Sequence, residues 1–302
     1  MCRNYMGMRA TILRLGVPVA AVAAAVAVVP VASGAGDPSI AALQVALRAR
    51  GFYAGPIDGT AGPSTTGAVR RLQRRTGLAA DGVPGPRTRA ALGRYARHTL
   101  GSRELRLKST GWDVAELQFE LAWHGFPSSA IDGRFGAHTF GALRRFQRWA
   151  GLSVDGRAGP ATVAALARPV ASSPIELAWP LMGPVESRFG PRGNRFHAGL
   201  DLAAVTGTPV TAAAPGRVAW AGRRDGWGLL VVVAHAHGVR TFYAHLEQID
   251  VRLGEAVATG QRVGLVGATG DATGPHLHFE VRVRGAAVDP LGSLPTAVTA
   301  GS

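Results

Sequence analysis

His276-Leu277-His278-Phe279-Glu280-Val281 decides how the last third of this chain is read. Side chains alternate across a strand, so Leu277, Phe279 and Val281 go to one face and His276, His278 and Glu280 to the other. An apolar face behind three ionisable groups describes a strand with a core on one side and a site on the other. Around it, residues 209–213, 217–221, 229–234 and 239–246 are short alternating or β-branched runs, punctuated by turns such as Pro215-Gly216 and His237-Gly238. These runs predict an all-β domain over residues 179–292, an antiparallel sheet of sandwich-like form, with a tail over 293–302.

Upstream, Phe196-His197-Ala198-Gly199-Leu200-Asp201-Leu202 sets a histidine four residues before a carboxylate. Gly193, Asn194 and Gly199 favour a loop running into a strand over a helix. His197, Asp201 and one strand histidine make three nitrogen or oxygen ligands, the number a catalytic zinc uses while keeping a position for water. Imidazole with a single carboxylate suits zinc better than magnesium or calcium, which take oxygen ligands. Spacing does not choose between His276 and His278. In Tyr243-Ala244-His245-Leu246, alternation places His245 with Tyr243, opposite Phe242, Ala244 and Leu246, and within reach of the same pocket. No His-Glu-x-x-His run exists, which excludes the helical zinc-protease arrangement with its glutamate base, and leaves Glu280 as an outer partner of the site.

The preceding half is a duplication. Leu43-Gln44, Ile57-Asp58-Gly59, Thr65, Gln73, Asp81-Gly82, Gly85-Pro86 and Leu92 all recur at an offset of 74 residues, as Leu117-Gln118, Ile131-Asp132-Gly133, Thr139, Gln147, Asp155-Gly156, Gly159-Pro160 and Leu166. Apolar residues at helical spacing (Ile40, Leu43, Leu47; Ala68, Val69, Leu72; Ala91, Leu92) predict three short helices per copy. Asp58 and Asp132 read as turn residues, and Thr65, Thr88, Thr139 and Thr162 as hydroxyls that satisfy free amides at helix starts. Arg70-Arg71, Arg74-Arg75 and Arg144-Arg145 read either as solvated helix faces or as contacts for carboxylates. The whole is therefore a multidomain α+β chain: modules over 36–98 and 111–170, linkers over 99–110 and 171–178, then the β domain.

At the amino terminus Arg3, Arg9 and Arg14 precede an apolar run over 16–32 and the small residues Ser33 to Gly36, the order of a cleaved export signal over 1–35. An uncleaved anchor is the alternative, and Met8 is an alternative start. Cys2, the only cysteine, would leave with the signal, so the mature chain has no disulfide. The formal net charge of +14 draws polyanions, but no nucleic-acid recognition motif accompanies it.

Two resemblances follow from these residues. The Leu-Gln, Gly-Phe, Ile-Asp-Gly, Phe-Gln-Arg and Gly-Leu series of each copy resembles the helical peptidoglycan-binding module of wall hydrolases. His197 with Asp201, His245, and His276 with His278, together with Gly267-Ala268-Thr269-Gly270 and Thr273-Gly274-Pro275, resemble the LytM and lysostaphin family of zinc endopeptidases. The resemblance implies that His197, Asp201 and His278 bind Zn²⁺ and that His245 and His276 assist catalysis. It implies an exported enzyme that cuts peptide bonds in peptidoglycan, with peptidoglycan and anionic wall polymers as partners, and neither nucleic acid nor, after signal cleavage, membrane. A catalytically inactive wall-binding activator of another hydrolase is the alternative.

Overall fold

The computed structural model describes residues 36–296, so the segment read as an export signal, with Cys2, lies outside the described residues, as does the end of the expected tail. The first copy forms α1 (Pro38–Ala49), α2 (Pro63–Arg75) and α3 (Pro86–Ala91). The second forms α4 (Trp112–Trp123), α5 (Ala137–Trp149) and α6 (Pro160–Leu166). Proline opens α1, α2, α3 and α6, where its fixed φ suits the first helical position and its missing N–H costs nothing.

One polar staple, used four times, explains the repeat. Gln44 Nε2 donates to Asp58 Oδ1 and Thr65 Oγ1 while its Oε1 accepts the Gly59 amide, so a single buried glutamine ties one helix to the turn and to the start of the next. Gln73 does the same with Asp81, Thr88 and Gly82; Gln118 with Asp132, Thr139 and Gly133; Gln147 with Asp155, Thr162 and Gly156. All four glutamines are buried, and burial without those partners would be costly. The aspartates are turn residues, each accepting the amide two positions on. The threonines differ from expectation. Each is the third residue of its helix, behind a glycine N-cap, and its hydroxyl donates back to a turn carbonyl and accepts the glutamine amide. The arginine pairs stand on exposed helix faces.

The two copies share a core: α1 packs along α4, and Leu43, Leu47, Trp112 and Phe119 belong to one apolar cluster. Between them, Leu105 is buried in the second copy's core and exchanges backbone hydrogen bonds with Ala158, and Arg103 pairs with the buried Asp113. That core also takes in Ala286 from the β domain.

The β domain contains β1 (Val185–Ser187), β2 (Gly190–Arg192), β3 (Arg195–His197), β4 (Leu200–Ala203), β5 (Pro209–Thr211) and β6 (Gly216–Arg224). It continues with β7 (Gly228–Ala234), β8 (Val239–Ile249), β9 (Ala256–Val257), β10 (Arg262–Val266), β11 (His276–Val283) and β12 (Ala286–Val288). An antiparallel sheet runs β1-β4-β11-β8-β7-β6-β9, with β12 beside β11, and a branch in which β10 joins the far end of β8 to β5. β2 and β3 form a separate hairpin. Leu277, Phe279 and Val281 enter the main core with Leu200, Val231 and Tyr243, as alternation along β11 predicts.

Alternation fails at His245. Tyr243 and Leu246 both enter the main core, whereas Phe242 and Ala244 join a smaller cluster on the opposite face with Trp227. His245 has φ +62°, and the pairing register of β8 with β7 shifts there, with a second shift against β10 two residues further on. A left-handed residue at a bulge re-aims the side chain, which is why His245 does not share a face with Tyr243. Among the described residues no helix is long and apolar enough to cross a membrane.

Candidate metal centre and active site

Register brings the candidate ligands together. Asp201 on β4 is the direct partner of His278 on β11, and Ala244 on β8 flanks His278 on its other side. His197 ends β3 and reaches the same point across the turn at Gly199, where a Cβ would lie 2.4 Å from the Phe279 carbonyl oxygen, so only glycine allows this approach of β4 to β11. His197 Nε2, Asp201 Oδ1 and His278 Nδ1 form a triangle with sides of 2.8, 3.0 and 3.0 Å. A tetrahedral ion with bonds of about 2.0–2.1 Å spaces its ligands by about 3.3 Å, close to these separations. Among the described residues this is the cluster of three His, Cys, Asp or Glu groups close enough to hold a metal ion.

Each imidazole has one nitrogen tied off and one facing the pocket. His197 Nδ1–H donates to the Arg188 carbonyl at 2.9 Å, leaving Nε2; His278 Nε2–H donates to Glu280 Oε1 at 3.2 Å, leaving Nδ1. Those two nitrogens converge with a carboxylate oxygen, three ligand atoms that a single cation can share. Without a cation a proton takes that role. Burial opposes charge on His278, but Asp201 and Glu280 overcome it and push its pKa up to about 9. Burial likewise opposes ionised Asp201, and hydrogen bonds from His197, His278 and Arg192 hold it well below the usual carboxylate range.

His245 and His276 stand beside the triangle, their rings 4.8 Å apart and His245 5.9 Å from His278. His276 Nε2 is 3.8 Å from Asp201 Oδ1, too far for a hydrogen bond. His245 Nδ1–H donates to the Thr269 carbonyl and His276 Nδ1–H to the Gly274 carbonyl, at 2.7 and 2.9 Å, so both present Nε2. Burial pushes the His245 pKa down, keeping it neutral and able to accept a proton. The glycine-rich runs before β11 thus act as anchors. Thr269 also binds the Leu229 amide and the Leu246 carbonyl, and a Cβ on Gly228 would meet its hydroxyl at 2.2 Å. All five predicted residues line one cleft of about 370 Å³.

Of three neighbours of the site, Glu280 is the outer partner expected from the sequence, whereas Arg192 and Trp227 were not assigned there. Arg192 donates to the second oxygen of Asp201 at 2.6 Å and also to Ser187 Oγ. Glu280, buried, is held by His278 on one oxygen and Arg282 on the other. Trp227 packs edge-on to His278, and Arg282 lies over the Trp227 and Phe242 rings.

Comparison with known proteins bears on both halves. Residues 195–290 match Peptidase family M23, and residues 36–92 and 110–166 match the family described as "Putative peptidoglycan binding domain". The "DD-carboxypeptidase/endopeptidase Mpg" of Neisseria meningitidis is 48% identical over 119 residues, 37% of this chain and 27% of that protein. The "Murein hydrolase activator EnvC" of Escherichia coli is 40% identical over 114 residues, 37% of this chain and 27% of that protein. A "zinc containing peptidase" of Vibrio cholerae of known structure is 36% identical, covering 37% of this chain and 38% of that one, with a TM-score of 0.36. The chain thus spans about a quarter of the length of the curated relatives it matches.

Proposed function

We propose, for a chain that carries a peptidase family M23 domain behind two peptidoglycan-binding domains, that it is an exported zinc endopeptidase hydrolysing peptide bonds of peptidoglycan stem peptides or cross-bridges. The observation that carries this reading is the convergence of three atoms able to ligate a metal, His197 Nε2, Asp201 Oδ1 and His278 Nδ1, beside two further histidines that present Nε2. Zinc bound there supplies Lewis acidity to the scissile carbonyl and to water. His245 takes up and returns a proton at Nε2, its ring fixed by Thr269. His276, fixed by Gly274 through Nδ1–H, donates at Nε2 in its doubly protonated form to the oxygen on which negative charge develops. The two modules hold the enzyme on its insoluble polymer, and a charge of +14 favours anionic wall polymers.

Incubation of the purified protein with insoluble peptidoglycan, followed by mass spectrometry of the soluble fragments, tests this. New peptide amino termini, abolished by a chelator and restored by zinc, are expected. Binding to the wall without any released fragment would instead identify an inactive activator.

A further inference from the structure

The hairpin that carries Arg192 is gripped by both helical modules. At its tip, the Gly193 carbonyl accepts the Ile57 amide at 2.7 Å and the next carbonyl, Asn194, accepts the Ile131 amide at 2.8 Å. Ile57 and Ile131 are the equivalent positions of the two copies, at the head of their Ile-Asp-Gly turns. The duplicated module therefore offers two matched donors to two successive carbonyls of one turn. Beside the tip, Trp123 at the end of α4 meets Phe189 and Phe196, one ring on each side of the hairpin, with centroids 6.1 and 5.2 Å away. Phe189 and Phe196 meet each other edge-on at 4.9 Å. The two strands carry Arg192, between tip and rings, toward Asp201, and His197, the residue after Phe196, into the metal triangle.

We propose that Arg192 is a positioning residue for the metal centre, and that the module pair sets its position through the tip of the β2–β3 hairpin. Arg192 occupies Asp201 Oδ2, which leaves Oδ1 alone facing His197 and His278 and fixes the carboxylate as a one-oxygen ligand. Ser187, bonded to the same guanidinium, lies on β1 opposite Asp201 and ties the arrangement to the sheet. The modules are then part of the scaffold of the active site as well as its tether. This rests on the reading of His197, Asp201 and His278 as the metal ligands.

The test uses the full chain and zinc alone, with the zinc dissociation constant taken by competition with a chromogenic chelator and the absorption spectrum recorded after cobalt(II) substitution. Arg192→Ala is expected to weaken zinc binding by about 10–100-fold and to move the cobalt band, and Arg192→Lys to recover part of both. Trp123→Leu is expected to weaken zinc several-fold in the parent and not at all in the Arg192→Ala background, because it acts through that arginine. Where Trp123→Leu loses its helical circular dichroism, Phe189→Leu removes the partner ring from the hairpin side and repeats the cycle. Unchanged or tighter zinc binding in Arg192→Ala, or an equal effect of Trp123→Leu in both backgrounds, overturns the proposal. If the parent itself binds no zinc, the metal reading falls and this inference falls with it; if the parent binds and the Arg192 variants match it, only this inference falls.

Discussion

Glu120→Gln should make the protein more stable at pH 8 and leave it unchanged at pH 4.5. Glu120 lies on α4 where the two modules meet, and burial, aided by the nearby charges of Glu116 and Asp37, raises its pKa from 4.5 to about 7. The sign follows from proton counting. Below pH 4.5 both folded and unfolded chains hold the proton and nothing is lost. Between 4.5 and about 7 the unfolded chain releases it while the folded chain keeps it, so stability falls as pH rises, and above 7 the full penalty persists. A gap of about 2.5 pKa units at about 1.36 kcal/mol each gives about 3 kcal/mol. Glutamine keeps the shape of the protonated acid and cannot ionise. Urea unfolding followed by tryptophan fluorescence, at pH 4.5 and 8, should therefore show parent and variant together at the lower pH and about 3 kcal/mol apart at the higher. Glu116 is present in both proteins, so it enters the comparison only through its charge coupling to Glu120. The same difference at both pH values would refute the reasoning.

Three further outcomes are expected. Gln118→Ala removes one staple and leaves the Asp132 and buried Gly133 amides without their acceptor, so the urea midpoint should fall by the equivalent of about 3 kcal/mol; a loss below about 0.5 would mean water replaces the amide. Zinc must displace the proton that Asp201 and Glu280 hold on His278, so calorimetry at pH 7 in two buffers of different ionisation enthalpy should report about one proton released per zinc, and affinity should rise with pH up to about 9. His245→Ala and His276→Ala should each lower peptidoglycan cleavage at least about 100-fold while keeping zinc. Loss of zinc from His276→Ala would reverse the assignment of the two strand histidines.

Much of this was legible in the sequence where local rules govern. The alternation of His276, His278 and Glu280 against Leu277, Phe279 and Val281 held because β11 runs as a regular strand between β4 and β8. The family resemblance, drawn from His197, Asp201, His245, His276 and His278, agrees with the M23 match over 195–290. The face of His245 was not legible, because one left-handed residue at a bulge breaks the period of two. Arg192 carried no signal among 33 lysines and arginines; its role depends on a hairpin folding back beside Asp201, which spacing alone does not reveal. The recurrence of Gln44, Gln73, Gln118 and Gln147 beside Asp-Gly turns was visible in the repeat, yet only burial shows that these amides bind the turns together.

The central claim is that His197, Asp201 and His278 form one metal site, and zinc content per chain tests it most directly. Purified parent protein should hold about one zinc, and Asp201→Ala, which removes the vertex shared by both histidine contacts, should hold almost none at the same total zinc. A parent without zinc, or an Asp201→Ala variant that keeps a full equivalent, would contradict it.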